Sequence, residues 1–485
     1  MPGFHIEHFG CRAARADGEA VGSHLRAAGL CELQPSAADV VVVNTCSVTA
    51  EADRAARAFI RRAHRLNPQA RIVVAGCYAQ RAPRELAALP GVAAVVGNSH
   101  KALTPEIALR LALPTVDASP VPDPTLVPLQ SLLAASVRPA AAPIWADDRF
   151  AHSFLEEAQL VPGAQTRPNL KIQEGCGNRC TFCVIPQTRG SSKSLSGASV
   201  LRQVEGFAAA GGKELVLSGI NLGRWGRDFP RSDATPGNGS APCTLAGLVR
   251  AIFLRTTLPR LRLSSIEPMD WDAELIGLMA EFGGTRLARH VHLPLQSGSD
   301  GVLRRMHRRY RPWHYVEKVE ALRRAAGPEL TLGADVMVGF PGETDAEFQE
   351  TEALIRALPF GYLHLFPFSP RPGTPAWALH AERPVPEAVV EERMTALRIL
   401  AAEKSQTHRR CFVEREVEVL TLHTPPALES LGRTAALSEN FLPVDLDARL
   451  PANRLLRVRV TGLAADGALL AEPEITVDAP RFIED

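Results

Sequence analysis

The stretch EGCGNRCTFC, residues 174–183, decides how the rest of the chain is organised, because it places three cysteines within eight residues. Cys176, Cys180 and Cys183 follow a C-x3-C-x2-C spacing, and the glycines beside them let the backbone turn tightly around a metal. Thiolates on such short, regular spacings are typical of iron–sulfur ligation. With no fourth cysteine in this stretch, one iron of a cubane cluster would stay open to a small ligand.

Two other interpretations of this stretch stay open at this point. A partial zinc site could use the three thiolates, although zinc prefers four ligands and no histidine follows at finger spacing. Buried free thiols are the second alternative, since cysteine is often a small core residue. The spacing favours an iron–sulfur cluster over both.

The composition is that of a globular protein in a reducing compartment. The chain has 485 residues, 46% of them hydrophobic and 22% charged, with a net charge of +1. Met1–Cys11 lacks the basic-then-apolar pattern of a signal peptide, and no apolar run has the length of a membrane span. We therefore expect a cytoplasmic protein with no membrane partner, whose nine cysteines serve metal binding or catalysis rather than disulfides.

The N-terminal third alternates short apolar strands with helices, which predicts a doubly wound parallel sheet in an α/β fold. Cys11, Cys46 and Cys77 each follow a short apolar segment. Because the carboxyl ends of parallel strands share one edge of a sheet, these three thiolates can converge there and hold a second cluster. The alternative is three small residues at strand ends that bind nothing.

The central region, from Leu170 to about Leu400, repeats the strand–helix alternation six times. This pattern predicts a six-stranded partial (β/α)6 barrel with its active site at the carboxyl ends of the strands. Polar and glycine-rich segments fall at those strand ends, as expected of such a site. Each segment taken singly is also compatible with an ordinary turn between a strand and a helix.

Two further regions complete the predicted organisation. Residues 113–160 are rich in proline and alanine, which indicates an extended linker. Short alternating strands after Ser405 indicate a small five-stranded β-barrel. The predicted domains are a cluster-binding domain, the linker, a barrel core and the small β-barrel, with the ranges 1–112, 113–160, 161–402 and 403–485.

The most basic segment of the chain follows the fourth barrel strand. Arginine clusters suit RNA phosphates, whereas a solvated helix face is the alternative. The arginines that we predict to contact RNA, here and in the C-terminal β-barrel, are Arg304, Arg305, Arg308, Arg309, Arg454 and Arg457.

The three-cysteine motif, with Phe182 before its last cysteine, resembles that of the radical S-adenosylmethionine superfamily. The resemblance implies a [4Fe-4S] cluster whose open iron binds S-adenosylmethionine, and a reaction that starts from a 5′-deoxyadenosyl radical. It also implies that Ser218 and Gly219 meet the methionyl amino group, while the strand-end residues hold the rest of the cofactor. The cofactor-binding residues expected on this basis are Phe182, Ser218, Gly219, Glu267, Gln296, Val338, Gly339 and Phe340.

A second resemblance covers nearly the whole chain apart from the linker. The segments VNTCSVT (residues 43–49) and GCYAQ (residues 76–80) are similar to the N-terminal domain of the methylthiotransferases, and within them to the threonylcarbamoyladenosine tRNA enzymes. The C-terminal strands are similar to the TRAM domain that ends these proteins. The chain departs from the family pattern at residues 13–15, where Ala-Ala-Arg replaces the usual polar pair.

This resemblance implies an enzyme that places a methylthio group on carbon 2 of N6-threonylcarbamoyladenosine at position 37 of tRNA. Cys11, Cys46 and Cys77 would hold a second [4Fe-4S] cluster that delivers sulfur. The implied partners are the tRNA anticodon loop and an electron donor such as flavodoxin or ferredoxin, and we expect a monomer. Isopentenyladenosine in tRNA or a ribosomal protein is the alternative substrate; a non-catalytic iron–sulfur protein or a zinc module that binds RNA is the alternative class.

Overall fold

The computed structural model describes residues 1–113, 142–150, 166–230 and 242–473. These residues form two compact units. The first contains the described part of Met1–Gln159 together with Glu174–Asn178 and Cys183–Ser191, and the second contains the remainder. Most of the predicted linker, at 114–141 and 151–160, lies outside the described residues, and the predicted domain boundaries stay predictions.

The first unit is built on a parallel sheet with the strand order β2-β1-β3-β4-β5-β6. Its strands are β1 (Gly3–His8), β2 (Cys31–Glu32), β3 (Val40–Thr45), β4 (Arg71–Gly76), β5 (Val92–Gly97) and β6 (Ile144–Trp145). Its helices are Arg12–Ala27, Ala50–Leu66, Cys77–Arg81, Pro83–Ala87, Thr104–Ala112 and Ile185–Arg189, with a 3-10 helix at Asn98–Leu103.

The sheet is buried on both faces because its strands are runs of valine and other small apolar residues. In β3, Val41 and Val43 join one core with the helix Ala50–Leu66, whereas Val40 and Val42 join the core on the opposite face. Successive side chains of a strand point to opposite faces, so an all-apolar strand needs cover on both. The predicted doubly wound sheet is confirmed.

The second unit contains six parallel strands in the spatial order β7, β9, β10, β11, β12, β13. Hydrogen bonds from Ala288 N–H to Leu261 O (2.9 Å) and from Ile266 N–H to His292 O (3.2 Å) join the β10 segment to the β11 segment. The strands, with the short extra strand β8, are β7 (Asn169–Glu174), β8 (Lys193–Ser194), β9 (Glu214–Gly219), β10 (Arg260–Leu263), β11 (His290–His292), β12 (Thr331–Val338) and β13 (Phe360–Pro367). The predicted six-stranded partial barrel is confirmed.

Helices cover this barrel, and their starts follow ordinary capping chemistry. Thr344 accepts a hydrogen bond from Glu347 N–H, while the Glu347 side chain accepts one from Thr344 N–H, which forms a capping box. The helices of the second unit are Gly197–Ala209, Leu245–Arg255, Ala273–Phe282, Asp300–Arg305, Pro312–Ala326, Asp345–Ala357, Pro375–Glu382, Glu387–Arg410 and Pro426–Glu429, with 3-10 helices at Leu222–Arg224 and Pro268–Asp270.

A closed five-stranded barrel ends the described chain, as predicted. Its strands, in the spatial order β14-β15-β16-β18-β17, are β14 (Glu416–Thr421), β15 (Thr434–Ser438), β16 (Pro443–Leu446), β17 (Leu455–Leu463) and β18 (Leu469–Pro473). Pairing of β14 with β17 closes the barrel. Residues 474–485 lie outside the described part of the chain.

Within the described residues, no helix combines the length and the apolar character needed to cross a lipid bilayer.

Candidate functional site

One edge of the N-terminal sheet brings three cysteines together. Cys11 follows β1, Cys46 follows β3 and Cys77 follows β4. These three strands are parallel neighbours, so the residues after them meet at the same sheet edge. A Cβ atom on Gly10 would lie only 2.6 Å from the Cys46 Sγ, which shows how closely the loop after β1 approaches this thiol.

The electrostatics of Cys46 also reflect this proximity. Burial raises the pKa of Cys46 to about 12, and the neighbouring Cys77 and Cys11 thiols contribute further to the rise. The Val48 N–H donates a hydrogen bond to the Cys46 Sγ at 3.5 Å. The three cysteines therefore lie near enough to one another at this sheet edge for the Cys77 and Cys11 thiols to influence the pKa of Cys46.

Two buried side chains donate hydrogen bonds to the third thiol. Asn98 Nδ2 and Arg189 Nε each lie 3.3 Å from the Cys77 Sγ. Asn98 Nδ2 also donates to the carbonyl oxygen of Thr188, which fixes the amide in place. N–H donors to sulfur suit a thiolate that ligates an iron–sulfur cluster, because they stabilise its negative charge and adjust the cluster's reduction potential.

Arg189 belongs to a buried cluster of four charges. Its Nη1 lies 2.6 Å from Glu174 Oε1 and 3.1 Å from Asp17 Oδ2. Lys101 Nζ pairs with the same two carboxylates, at 2.5 Å and 3.2 Å. Burial alone would lower the pKa of Arg189, but the Cys77 thiol and the two carboxylates raise it well above its usual value. The cluster thus holds a permanent positive charge beside Cys77.

The side chains that support Cys77, directly or through Arg189, were not predicted from the sequence. Asn98 directly follows β5, and Glu174 opens the cysteine-rich stretch, so both had a local signal. Asp17 and Lys101 lie within helical segments that give no such sign, and Arg189 ends a short helix. Only the folded chain brings residues so distant in sequence into one buried group beside Cys77.

The second residue of the cysteine-rich loop at residues 174–183 is a glycine that no other residue could replace. Gly175 has φ = +66°, and a Cβ atom there would clash with the carbonyl oxygen of Ser191. The Asn178 N–H donates to the Cys176 Sγ at 3.4 Å. All three cysteines of the loop are partly exposed.

Cys180 receives its hydrogen bond from a buried arginine. Arg308 Nη1 lies 3.3 Å from the Cys180 Sγ, and Arg308 Nη2 lies 2.7 Å and 2.8 Å from the two carboxylate oxygens of Glu267. Burial alone would lower the pKa of Arg308, but Tyr310, Glu267 and Cys180 raise it well above its usual value. Arg308 is therefore enclosed and paired with Glu267, and the predicted contacts of Arg308 with RNA and of Glu267 with the cofactor stay predictions.

Polar atoms without protein partners collect at the carboxyl ends of the barrel strands. Ser218 Oγ, Ser264 Oγ and Gln296 Oε1 are buried, and none has a hydrogen-bond partner among the described residues. Gln296 has φ = +62°, a left-handed conformation that is uncommon for a residue other than glycine. A Cβ on Gly219 would come within 2.9 Å of the Gln173 side chain. Buried polar atoms need partners, so this arrangement suits a polar ligand.

The segment from Val338 to Phe340 makes backbone hydrogen bonds within the fold. The Val338 carbonyl accepts from Phe368 N–H at 2.8 Å, and Gly339 N–H donates to Glu343 Oε2 at 2.8 Å. Phe340 is buried against Phe368 with the rings edge to face. The Val338 carbonyl and the Gly339 N–H are therefore already hydrogen-bonded within the fold, and the expected contact of this segment with the cofactor stays a prediction.

Phe182, the last of the expected cofactor-binding residues, is partly buried and packs against the barrel core.

Three arginines surround one buried carboxylate at the same end of the barrel. Arg309 Nη1 and Arg227 Nη2 lie 3.1 Å and 3.0 Å from Asp270 Oδ1, and Arg224 Nε lies 3.5 Å from Asp270 Oδ2. Asp270 is fully buried, whereas Arg227 and Arg309 are 51% and 37% exposed. With three positive charges and one negative charge, the group presents an excess of positive charge to solvent. We call it the Asp270 arginine cluster.

The other predicted RNA-contacting arginines lie in different surroundings. Arg304 is exposed and pairs with Asp300 one helical turn away. Arg305 is partly buried and makes a two-pronged ion pair with Glu347. Arg454 and Arg457 are both exposed in the C-terminal β-barrel. These environments leave Arg304, Arg454 and Arg457 accessible to a partner.

Comparison with known protein families divides the chain in two. The family described as "Uncharacterized protein family UPF0004" matches residues 3–97, and the family described as "Radical SAM superfamily" matches residues 170–355. The first match covers the sheet that carries Cys11, Cys46 and Cys77. The second covers the cysteine-rich loop and the barrel through most of the helix Asp345–Ala357.

Individual relatives match almost the whole chain. The chain is 33% identical over 445 residues to the threonylcarbamoyladenosine tRNA methylthiotransferase MtaB of Bacillus subtilis (strain 168), covering 91% of this chain and 89% of the relative. The protein of that name from Rickettsia prowazekii (strain Madrid E) is 32% identical, over 94% of both chains. The tRNA-2-methylthio-N(6)-dimethylallyladenosine synthase of Cereibacter sphaeroides (strain ATCC 17023) is 33% identical, over 95% and 96%.

Proposed function

Because the chain belongs to the radical S-adenosylmethionine tRNA methylthiotransferase family, we propose that it converts N6-threonylcarbamoyladenosine at position 37 of tRNA to its 2-methylthio derivative. Membership of this family implies a [4Fe-4S] cluster and S-adenosylmethionine as cofactors and tRNA as substrate. The specific nucleoside is the proposed part. The observation that carries the nucleoside is that relatives named for this reaction match 91% and 94% of the chain. The convergence of Cys11, Cys46 and Cys77 at one sheet edge, in addition to the cysteine-rich loop, supports the two-cluster chemistry of such an enzyme.

Two cysteine triads support a division of labour in this enzyme. Cys176, Cys180 and Cys183 would hold the cluster that binds S-adenosylmethionine, and these cofactors supply a radical that removes a hydrogen atom from an unactivated carbon. Acid–base residues alone could not perform that step, because an aromatic C–H carbon offers no leaving group. The triad on the N-terminal sheet would hold the second [4Fe-4S] cluster and present sulfur.

The residues around both triads have roles that their contacts suggest. The Arg308 guanidinium would stabilise the negative charge of the Cys180 thiolate, and Glu267 would hold that guanidinium in position. Asn98 and Arg189 would do the same for Cys77. These groups position and tune the ligands; an external donor such as flavodoxin or ferredoxin would supply the electron.

The cofactor itself would take up the unpartnered polar atoms at the strand ends. We assign Ser218 and Gln296 to hydrogen bonds with S-adenosylmethionine, because their polar atoms are buried at the carboxyl end of the barrel and the described protein offers them no partner. Gly219 would let the cofactor approach the backbone, since any side chain there would meet Gln173.

The substrate assignment is tested with tRNA that carries either nucleoside. Cluster-loaded enzyme should methylthiolate tRNA containing N6-threonylcarbamoyladenosine, with kcat/KM at least about 100-fold lower for tRNA containing isopentenyladenosine. The reason is that a site built to pair with the threonyl carboxylate and hydroxyl is left with unpaired polar groups by an apolar substituent. Mass spectrometry of the digested nucleosides measures both products, and tRNA with unmodified adenosine serves as the control.

The second candidate substrate is isopentenyladenosine. A relative named for that reaction is as similar to this chain, at 33% identity, as the Bacillus relative. Preference for isopentenyladenosine tRNA would favour this candidate over our proposal. Methylthiolation of a ribosomal protein, with neither tRNA modified, would contradict both.

We propose that the Asp270 arginine cluster forms part of the tRNA-binding surface. Asp270 holds three guanidinium groups at the barrel end where the substrate base must enter, and two of them extend into solvent. Phosphate contacts by arginine release counterions and make binding salt-dependent. Arg304, Arg454 and Arg457 would add exposed charge elsewhere on the surface.

This proposal predicts the effect of Arg227→Ala and Arg309→Ala on tRNA affinity. Each substitution should weaken binding by several-fold and lower the slope of log K against log salt by about 1. Fluorescence anisotropy with labelled tRNA at several salt concentrations measures both quantities. Arg356→Ala is the matched control, because Arg356 is also exposed and also pairs with a carboxylate, Glu352. If Arg227→Ala and Arg309→Ala showed the same salt slope as the control Arg356→Ala, the Asp270 arginine cluster would not be part of the tRNA-binding surface.

A further inference from the structure

Two histidines and one aspartate meet on three adjacent strands of the barrel. His292 ends β11, Asp335 lies within β12, and His364 lies within β13 opposite Asp335. Asp335 Oδ1 is 3.3 Å from His292 Nε2 and 3.3 Å from His364 Nδ1. One ligand atom from each residue lies within 4.8 Å of the others. None of these residues has a role in the proposed cofactor or cysteine sites.

The spacing of these atoms fits ligands around one metal ion better than a simple ion pair. Ligands bonded to zinc at about 2.0–2.1 Å in tetrahedral geometry lie about 3.3 Å apart. A charge-assisted hydrogen bond between imidazolium and carboxylate is usually shorter, at about 2.7–2.9 Å. Both distances to Asp335 Oδ1 match the first value.

The ligand set itself is a familiar one. Two imidazoles and one carboxylate are found in catalytic zinc sites, which keep a further position open for water. The same set occurs in non-haem iron sites. Here the His364 side chain is 58% exposed, so an ion would have access from solvent, and the more buried His292 would anchor the site from within the barrel.

Neighbouring aromatic residues hold the inner ligand in place. The His292 ring stacks on Tyr362, with ring centres 6.0 Å apart and an angle of 11° between the planes. The Tyr362 hydroxyl lies 2.8 Å from His290 Nε2, which fixes the tyrosine in turn. Because these contacts already orient the His292 ring, its side chain loses less conformational freedom when a metal binds.

From this geometry we propose that His292, Asp335 and His364 bind a divalent transition-metal ion of the zinc class, with at least one coordination position left to water. The site contains no sulfur ligand, so it is separate from both cysteine triads. It also does not depend on which nucleoside the enzyme modifies. Zinc is preferred over magnesium or calcium because two of the three ligands are imidazoles.

The experiment uses cluster-loaded protein, in which the cysteines of both triads are occupied by iron. After incubation with Zn²⁺ and removal of excess metal, elemental analysis should find about one zinc per chain in addition to iron. X-ray absorption at the zinc edge should show nitrogen and oxygen ligands at about 2.0 Å and no sulfur at about 2.3 Å.

Substitutions test whether zinc is bound by His292, Asp335 and His364 or by other groups. His364→Ala and Asp335→Asn should each lower zinc affinity at least about 10-fold, whereas His423→Ala, at another exposed histidine, should leave it unchanged. Unaltered iron content and thermal midpoint show that a variant is folded; His364 is exposed, so its replacement is expected to be tolerated. The proposal would be overturned if His364→Ala and Asp335→Asn both retained zinc with unchanged affinity. It would also be overturned if the bound zinc had sulfur ligands, or if the wild-type protein bound no zinc.

Discussion

Replacing Cys46 by alanine should reduce methylthio transfer to tRNA by more than about 100-fold, since even residues that only support metal ligands cost 10–100-fold when removed. The iron content should fall from about eight to about four atoms per chain, because one of two four-iron clusters is lost. Formation of 5′-deoxyadenosine should continue, since the cysteine-rich loop is untouched. Iron analysis, chromatography of 5′-deoxyadenosine and mass spectrometry of nucleosides measure the three quantities.

The control for this experiment is Cys31→Ala. Cys31 is partly exposed on β2 and belongs to neither triad, so iron content and product yield should both stay at the wild-type level. A Cys46→Ala variant with full iron content and full methylthio transfer would show that the N-terminal triad holds no sulfur-delivering cluster. Loss of 5′-deoxyadenosine together with product would instead indicate that the two triads do not act separately.

Replacing Arg189 by methionine should destabilise the protein by about 3–5 kcal/mol, the usual cost of breaking a buried ion pair by removing one partner. Arg189 is fully buried and pairs with Asp17 and Glu174, so its loss leaves two buried carboxylates facing the single charge of Lys101. Cys77 would lose its guanidinium donor in the same variant. Denaturant unfolding followed by circular dichroism measures the change.

Arg110→Met provides the matched comparison for Arg189. Arg110 pairs with Glu106 one helical turn away, but the two side chains are 77% and 56% exposed. Exposed pairs of this kind contribute about 0–1 kcal/mol, so the midpoint of unfolding should hardly change. If Arg189→Met unfolds at the same denaturant concentration as Arg110→Met, the buried charge cluster does not contribute to stability as its geometry indicates.

The architecture was largely predictable because it follows from local patterns. Valine-rich strands separated by helical periods require a sheet that is covered on both faces, and the β3 valines are divided between two cores as expected. The alternation of six strands with helices likewise led to the partial barrel.

The surroundings of the predicted site residues were less predictable. Arg308 lies in a basic segment and was expected to face RNA, but the fold buries it between Glu267 and Cys180. Arg309, the next residue, extends toward solvent beside Asp270. A run of arginines shows where positive charge is concentrated along the chain, yet burial of each side chain depends on which elements pack against it.

By itself, the sequence determined the layout, which is the order of sheet, barrel and small β-barrel, and it predicted two triads of cysteines as ligands. It could do so because cysteine spacing and hydrophobic periodicity are local properties of the chain. The tertiary structure alone decided which charges support those ligands. Asp17, Lys101 and Arg189 come from separate parts of the chain, as do His292, Asp335 and His364, and only the pairing of distant strands and helices brings such groups within bonding distance.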